Sequence, residues 1–98
     1  VAYDEKARQK FLTQETRSLL EQCADGMKAL EEYSQESLET LFKGIMEQTG
    51  LGFGKIAQPL RVAVTGTTVS PGIFEMLLAL GREKTLERLN QAIETIDA

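Results

Sequence analysis

Only one stretch of this chain carries the side chains of a β-strand. Leu60-Arg-Val-Ala-Val-Thr-Gly-Thr-Thr-Val69 contains Val62, Val64, Thr65, Thr67, Thr68 and Val69, β-branched residues that suit a pleated backbone. A strand needs a neighbour to pair its ladder of N–H and C=O groups, and no second strand-like run exists to supply one. The economical solution is an all-α fold with no sheet. It predicts helix over 56–65, with Pro59 near the first turn and Gly66 ending it.

The remaining periodicities agree. Asp4 is placed to cap a short helix reaching about Leu12, and Thr13 to start a longer one. In the latter Leu19, Cys23, Met27 and Leu30 recur on one helical face. Asp25-Gly26 interrupts this pattern at a cost of about 1 kcal/mol relative to alanine; it is a place where the helix could break, and continuity is the expectation. Ser34 is the next N-cap, with Glu36 and Glu39 favourably near the helix dipole. Leu38, Leu41, Phe42, Ile45 and Met46 fall at i, i+3, i+4, i+7 and i+8, which predicts helix over 35–49 with Gly50 behind it. Gly50-Leu-Gly-Phe-Gly54 is a joint and a subdomain boundary. Because a helix rather than a strand precedes it, it is not a phosphate loop. Ser70-Pro71-Gly72 is expected to supply N-cap, N1 and N2 of a buried helix over 73–80. Gly81 separates it from a last helix running to about Ile96, for five to six helices in all.

Composition removes whole classes of chemistry. There is no histidine and one cysteine, so His-based triads, Cys–His pairs, His-containing zinc sites and Cys-x-x-Cys ligation have no donors. Cys23 lies on an apolar face and is expected to be a small core residue; a lone cysteine suits a reducing, cytoplasmic setting. No apolar run approaches the roughly 20 residues of a membrane span. The chain begins at Val1, so a piece of a longer polypeptide is expected. The net charge of -4 is unevenly spread. Residues 1–50 hold six basic and ten acidic side chains, whereas residues 51–88 hold five basic and three acidic ones. A polyanion should therefore meet the second half.

What remains is binding. A helix N-terminus opening at Ser70-Pro71-Gly72 presents unpaired N–H groups, although the same residues can simply cap a structural helix. The run Gly54-Lys-Ile-Ala-Gln-Pro-Leu-Arg-Val-Ala-Val-Thr-Gly66 resembles the pattern Gly-Lys-x-x-x-Pro-Leu-Arg-x-Ala-x-Thr-Gly. It is followed by Ser70-Pro-Gly-Ile-Phe-Glu75 and by Leu80-Gly-Arg-Glu-Lys-Thr-Leu-Glu-Arg-Leu89. Together these resemble the C-terminal anticodon-binding domain of bacterial-type glutamyl-tRNA synthetases, densely over residues 50–93. Tyr3-Asp4 and Lys10-Phe11-Leu12-Thr13 add shorter matches upstream. Relatives often carry threonine at the position of Ser70, and the hydroxyl survives.

The resemblance implies a small α-cage-like helical domain over 1–98, with a helical subdomain at 1–49 leading into an anticodon-reading subdomain at 50–98. It places Arg61, Ser70, Pro71, Gly72 and Ile73 against the first two anticodon bases of a tRNA for glutamate, or for glutamate and glutamine. Pro71 and Ile73 would offer apolar faces to those bases, while Phe74 is expected in the core. Lys55, Arg82, Lys84 and Arg88 are candidate phosphate contacts. The third base would be read by an arginine outside these residues. The parent would be an ATP-dependent glutamate–tRNA ligase whose catalytic domain, with its ATP and magnesium, lies elsewhere in the synthetase. No catalytic residue, cofactor, metal or membrane is expected for these 98 residues themselves. The rival is a helical protein–protein module that kept the fold and lost RNA binding; the acidic surface favours it, and the intact Arg61 and Ser70–Ile73 segment favours anticodon recognition.

Overall fold

The computed structural model describes all residues 1–98 and contains six α-helices and no strand. They are α1 (Glu5–Phe11), α2 (Gln14–Ala29), α3 (Gln35–Thr49), α4 (Phe53–Thr65), α5 (Ile73–Leu80) and α6 (Arg82–Asp97). The N-caps of α1, α2 and α3 come from the residues that the sequence nominates. Asp4 accepts from the Ala7 N–H, and Thr13 and Ser34 each form a reciprocal capping box with the residue three positions on, Thr16 and Ser37. Gly50 and Gly66 end α3 and α4 in the left-handed region at φ 74° and 86°.

Helix α4 runs through the middle of the molecule, touching α1, α2, α3 and α6, while α2 and α6 share the most extensive interface. A single core unites Leu20, Cys23 and Met27 of α2 with Phe42 of α3, Leu60 and Val64 of α4, Leu77 of α5 and Leu89 of α6. This settles the β-branched stretch. Strand preference is worth at most about 1 kcal/mol across the whole scale, whereas burying one valine is worth about 1.5–3 kcal/mol. Val62 and Val64 are both fully buried as helix residues.

Three expectations need correction. Helix α4 begins at Phe53 rather than 56, so Pro59 sits in its interior and gives no N–H to the Lys55 carbonyl. That carbonyl belongs to an exposed residue near the helix start, where water can satisfy it. The N-cap of α5 is Gly72 and not Ser70, whose hydroxyl is engaged elsewhere. Helix α5 is also only half-sunk: Ile73, Met76 and Leu77 are buried, but Ala79 is exposed. Gly26, by contrast, sits inside a continuous α2, where an added Cβ would collide with Leu41 of α3. The glycine lets the two helices close up.

Candidate nucleic-acid interface

Because α4 is packed on so many sides, it keeps one polar stripe. Ile56, Ala57, Pro59, Leu60 and Val62–Val64 are buried, leaving Lys55, Gln58, Arg61 and Thr65 along a single line three or four residues apart. Arg61 is the centre of that line. Its Nε donates to Ser70 Oγ at 2.8 Å and its Nη1 to Gln58 Oε1 at 3.1 Å. Ser70 Oγ in turn donates to the Pro71 carbonyl at 2.9 Å. The guanidinium therefore draws the loop after α4 back across its own helix.

The loop is secured at its near end as well. The Gly66 N–H bonds the Val62 carbonyl and the Gly66 carbonyl accepts from the Asp4 N–H, both at 2.8 Å. Thr65 Oγ1 donates to the Arg61 carbonyl at 2.7 Å and accepts from the Thr67 N–H at 3.2 Å. Thr67 Oγ1 reaches the Val69 carbonyl at 2.8 Å. Val69 itself is 84% exposed, and Pro71 and Gly72 are exposed beside it.

Donor bookkeeping defines what this surface can do. A guanidinium carries five N–H groups, of which Arg61 commits two within the protein. No carboxylate pairs with it, since the ion pairs are Arg8–Glu5, Arg17–Glu21 and Arg17–Asp97. Gly72 offers no side-chain cap, and the first intrahelical bond of α5 runs from Met76 N to the Gly72 carbonyl. The N–H groups of Ile73, Phe74 and Glu75 are thus unspent. Glu75 places a carboxylate in that same first turn, near Gly72. The negative charge already occupies the positive end of the dipole, so this end of α5 suits the polar edge of a base better than a phosphate. The arrangement offers a planar cation, backbone donors without partners in the protein and an exposed proline ring: the means of reading an unstacked base on its edges.

The sequence-nominated residues divide into two groups. Arg61, Ser70, Pro71 and Gly72 come together on one surface. Ile73 adjoins them along the chain, but the whole residue is 4% exposed and its side chain, packed in the core, offers no face to a base. Phe74 is half-buried, with its ring centroid 5.1 Å from Phe42 and 5.8 Å from Phe53. Lys55 lies exposed at the head of the polar stripe. Arg82 and Lys84 lie beyond the other end of α5, roughly 12 Å along its axis from Gly72 at 1.5 Å per residue. There the Arg82 guanidinium packs 5.6 Å from the Tyr33 ring. Arg88 donates through Nη1 to the Val64 carbonyl at 2.7 Å, satisfying a last-turn acceptor of α4. Gln58 was missed by the motif reading; its position three residues before Arg61 on one helix face was the available signal.

Other chemistry is sparse. No group of three or more His, Cys, Asp or Glu residues is placed to hold a metal ion, and no helix is long and apolar enough to cross a membrane. Cys23 is fully buried, and burial pushes its thiol up to about 12. It is a packing residue, not a nucleophile.

A helical module with one polar stripe crossed by an arginine-held loop has a counterpart among known families: the model described as an anticodon binding domain matches residues 1–93, and the chain belongs to that family. The glutamate–tRNA ligase of Desulfosudis oleivorans is 51% identical over 96 residues, covering 98% of this chain and 21% of the relative. That of Thermodesulfovibrio yellowstonii is 45% identical over 94 residues, covering 96% and 20%. The crystal structure of a glutamate tRNA ligase from Elizabethkingia meningosepticum, in complex with its amino acid, superposes with a TM-score of 0.88 at 32% identity, over 97% of this chain and 19% of that one. Within its family the chain is the anticodon-binding domain of a glutamate–tRNA ligase, and it spans about a fifth of the length of these relatives.

Proposed function

We propose that the surface formed by Arg61, Ser70, Pro71, Gly72 and the backbone of Ile73 reads the first two anticodon bases of a tRNA that accepts glutamate. The observation that carries this is the Arg61–Ser70 hydrogen bond of 2.8 Å. It fixes the guanidinium plane while three of its five N–H groups stay free for a base edge. Ser70 acts chiefly by orienting Arg61, since its own hydroxyl hydrogen is spent on Pro71. Lys55, at the head of the stripe, is the nominated phosphate contact on the same helix as Arg61. In the whole ligase the domain would select the tRNA, while a catalytic domain outside these residues joins glutamate to it with ATP and magnesium in the cytoplasm. Residues 50–98 would do the reading and residues 1–49 would buttress them.

An NMR titration of the 98-residue chain with a glutamate-tRNA anticodon stem-loop tests this. The Arg61, Gly72 and Ile73 amides should shift while the acidic face around Glu31 and Glu32 stays quiet. Arg61→Ala should lose about 1–3 kcal/mol of binding, in an amount that depends on which anticodon base is offered. If Arg61→Ala leaves base discrimination unchanged, the assignment of this surface fails. Stem-loop binding itself separates this function from that of a module that has lost RNA binding.

A further inference from the structure

Alongside the polar stripe runs a groove between the α1–α2 corner and the start of α4. We propose that it holds the backbone phosphate and base of a nucleotide flanking the two that meet Arg61 and Ser70; the inference rests on the anticodon-binding function above.

Charge supports it first. Lys10 and Lys55 line the groove from opposite walls, and neither takes part in any ion pair. Lys10 Nζ rests 5.4 Å from the Phe11 ring centroid, which holds the ammonium beside the groove. In a chain of net charge -4, two unpaired cations converge on a cleft that has one carboxylate, Glu15.

Shape supports it next. Phe11, Leu51 and Pro59 supply apolar lining, with Leu51 37% exposed. Gly52 and Gly54 keep the adjoining wall low, since a Cβ on either would meet nothing within 4 Å. A phosphate between two ammonium groups over an apolar floor is how single-stranded RNA is commonly held, with the base against a hydrophobic face.

Continuity supports it last. Gln58 lines the groove and also accepts from Arg61, so its amide N–H groups remain available to a ligand. Lys55 and Arg61 stand six residues apart on α4, roughly 9 Å along its axis, with Gln58 midway between them, a rise that the next nucleotides of an extended strand can cover.

The test is stem-loop binding across a salt series, with the wild-type chain, the double variant Lys10→Ala/Lys55→Ala, Glu15→Gln, and Lys6→Ala/Lys28→Ala as a charge-matched control. The Lys10/Lys55 variant should weaken binding roughly 2- to 30-fold, from two exposed ion pairs. It should flatten the log–log salt slope by about 0.7 per lost phosphate contact and leave base discrimination intact. Glu15→Gln should tighten binding roughly 1.5- to 5-fold, a gain that misfolding cannot mimic. An unchanged slope in the Lys10/Lys55 variant, or an equal loss in the Lys6/Lys28 control, overturns the groove assignment while Arg61-dependent discrimination still stands. Absence of wild-type binding overturns both.

Discussion

Gly66 and Gly50 occupy the same backbone region, at φ 86° and 74°, in different surroundings. At Gly50 an added Cβ meets nothing within 4 Å. Gly50→Ala should therefore cost only the left-handed conformation, about 1–2 kcal/mol. At Gly66 the same Cβ would collide with the Ala2 carbonyl oxygen and stand 3.1 Å from Val1 Cγ1. Backbone cannot swing aside as a side chain can, so the segment Val1–Asp4 must lift. Lifting it breaks the Asp4 N–H bond to the Gly66 carbonyl, worth about 0.5–1.5 kcal/mol net. It also loosens the Asp4 cap on Ala7, a feature worth about 1 kcal/mol. Gly66→Ala should then cost about 2.5–4.5 kcal/mol in all. At 4–8 °C per kcal/mol for a domain of this size, the two midpoints should differ by at least about 6 °C. Urea and thermal unfolding followed by far-UV circular dichroism measure both variants under one two-state treatment. Equal losses would refute the N-terminal clasp. Because Gly66 opens the loop that carries Ser70, anticodon discrimination should suffer in Gly66→Ala and persist in Gly50→Ala.

Arg88→Met should lower stability by about 1.5–3 kcal/mol through loss of a charged donor to the Val64 carbonyl, with base discrimination unchanged; a selective loss of discrimination would make it a reading residue. Cys23, buried and with its thiol pushed up to about 12, should react with a thiol reagent at pH 8 only as fast as the chain opens, so stoichiometric labelling within seconds in native buffer would contradict its burial. The Arg17 hydrogen bond holds the Asp97 carboxyl below its ordinary range. A depressed folded value means that the pair stabilises above the unfolded value of roughly 4 and fades as pH falls through the folded one. Asp97→Asn should accordingly sit below wild type at pH 7 and converge with it in acid, and parallel stability curves across that range would deny the linkage.

Much of this architecture is written locally. The caps at Asp4, Thr13 and Ser34 and the left-handed stops at Gly50 and Gly66 depend on residues within a few positions of each other, as does the face of Leu38, Phe42 and Ile45. Such features survive in a one-dimensional reading because their partners are sequence neighbours. The resemblance over residues 50–93 likewise brought Arg61 and Ser70–Gly72 into view. Distant contacts decided the rest. The bond between Arg61 and Ser70 took the serine away from the helix cap that its spacing suggests. The Val64 carbonyl claimed Arg88, and the core claimed the Ile73 side chain, so neither side chain is free for the contact that the resemblance implies. Gly26, which looks like a weak point in α2, is where Leu41 of α3 fits. Residue type and spacing specify what a segment prefers by itself, at tenths of a kcal/mol to about 1 kcal/mol per position. Burial and hydrogen bonds to partners far along the chain carry larger energies, and they exist only once the helices have assembled.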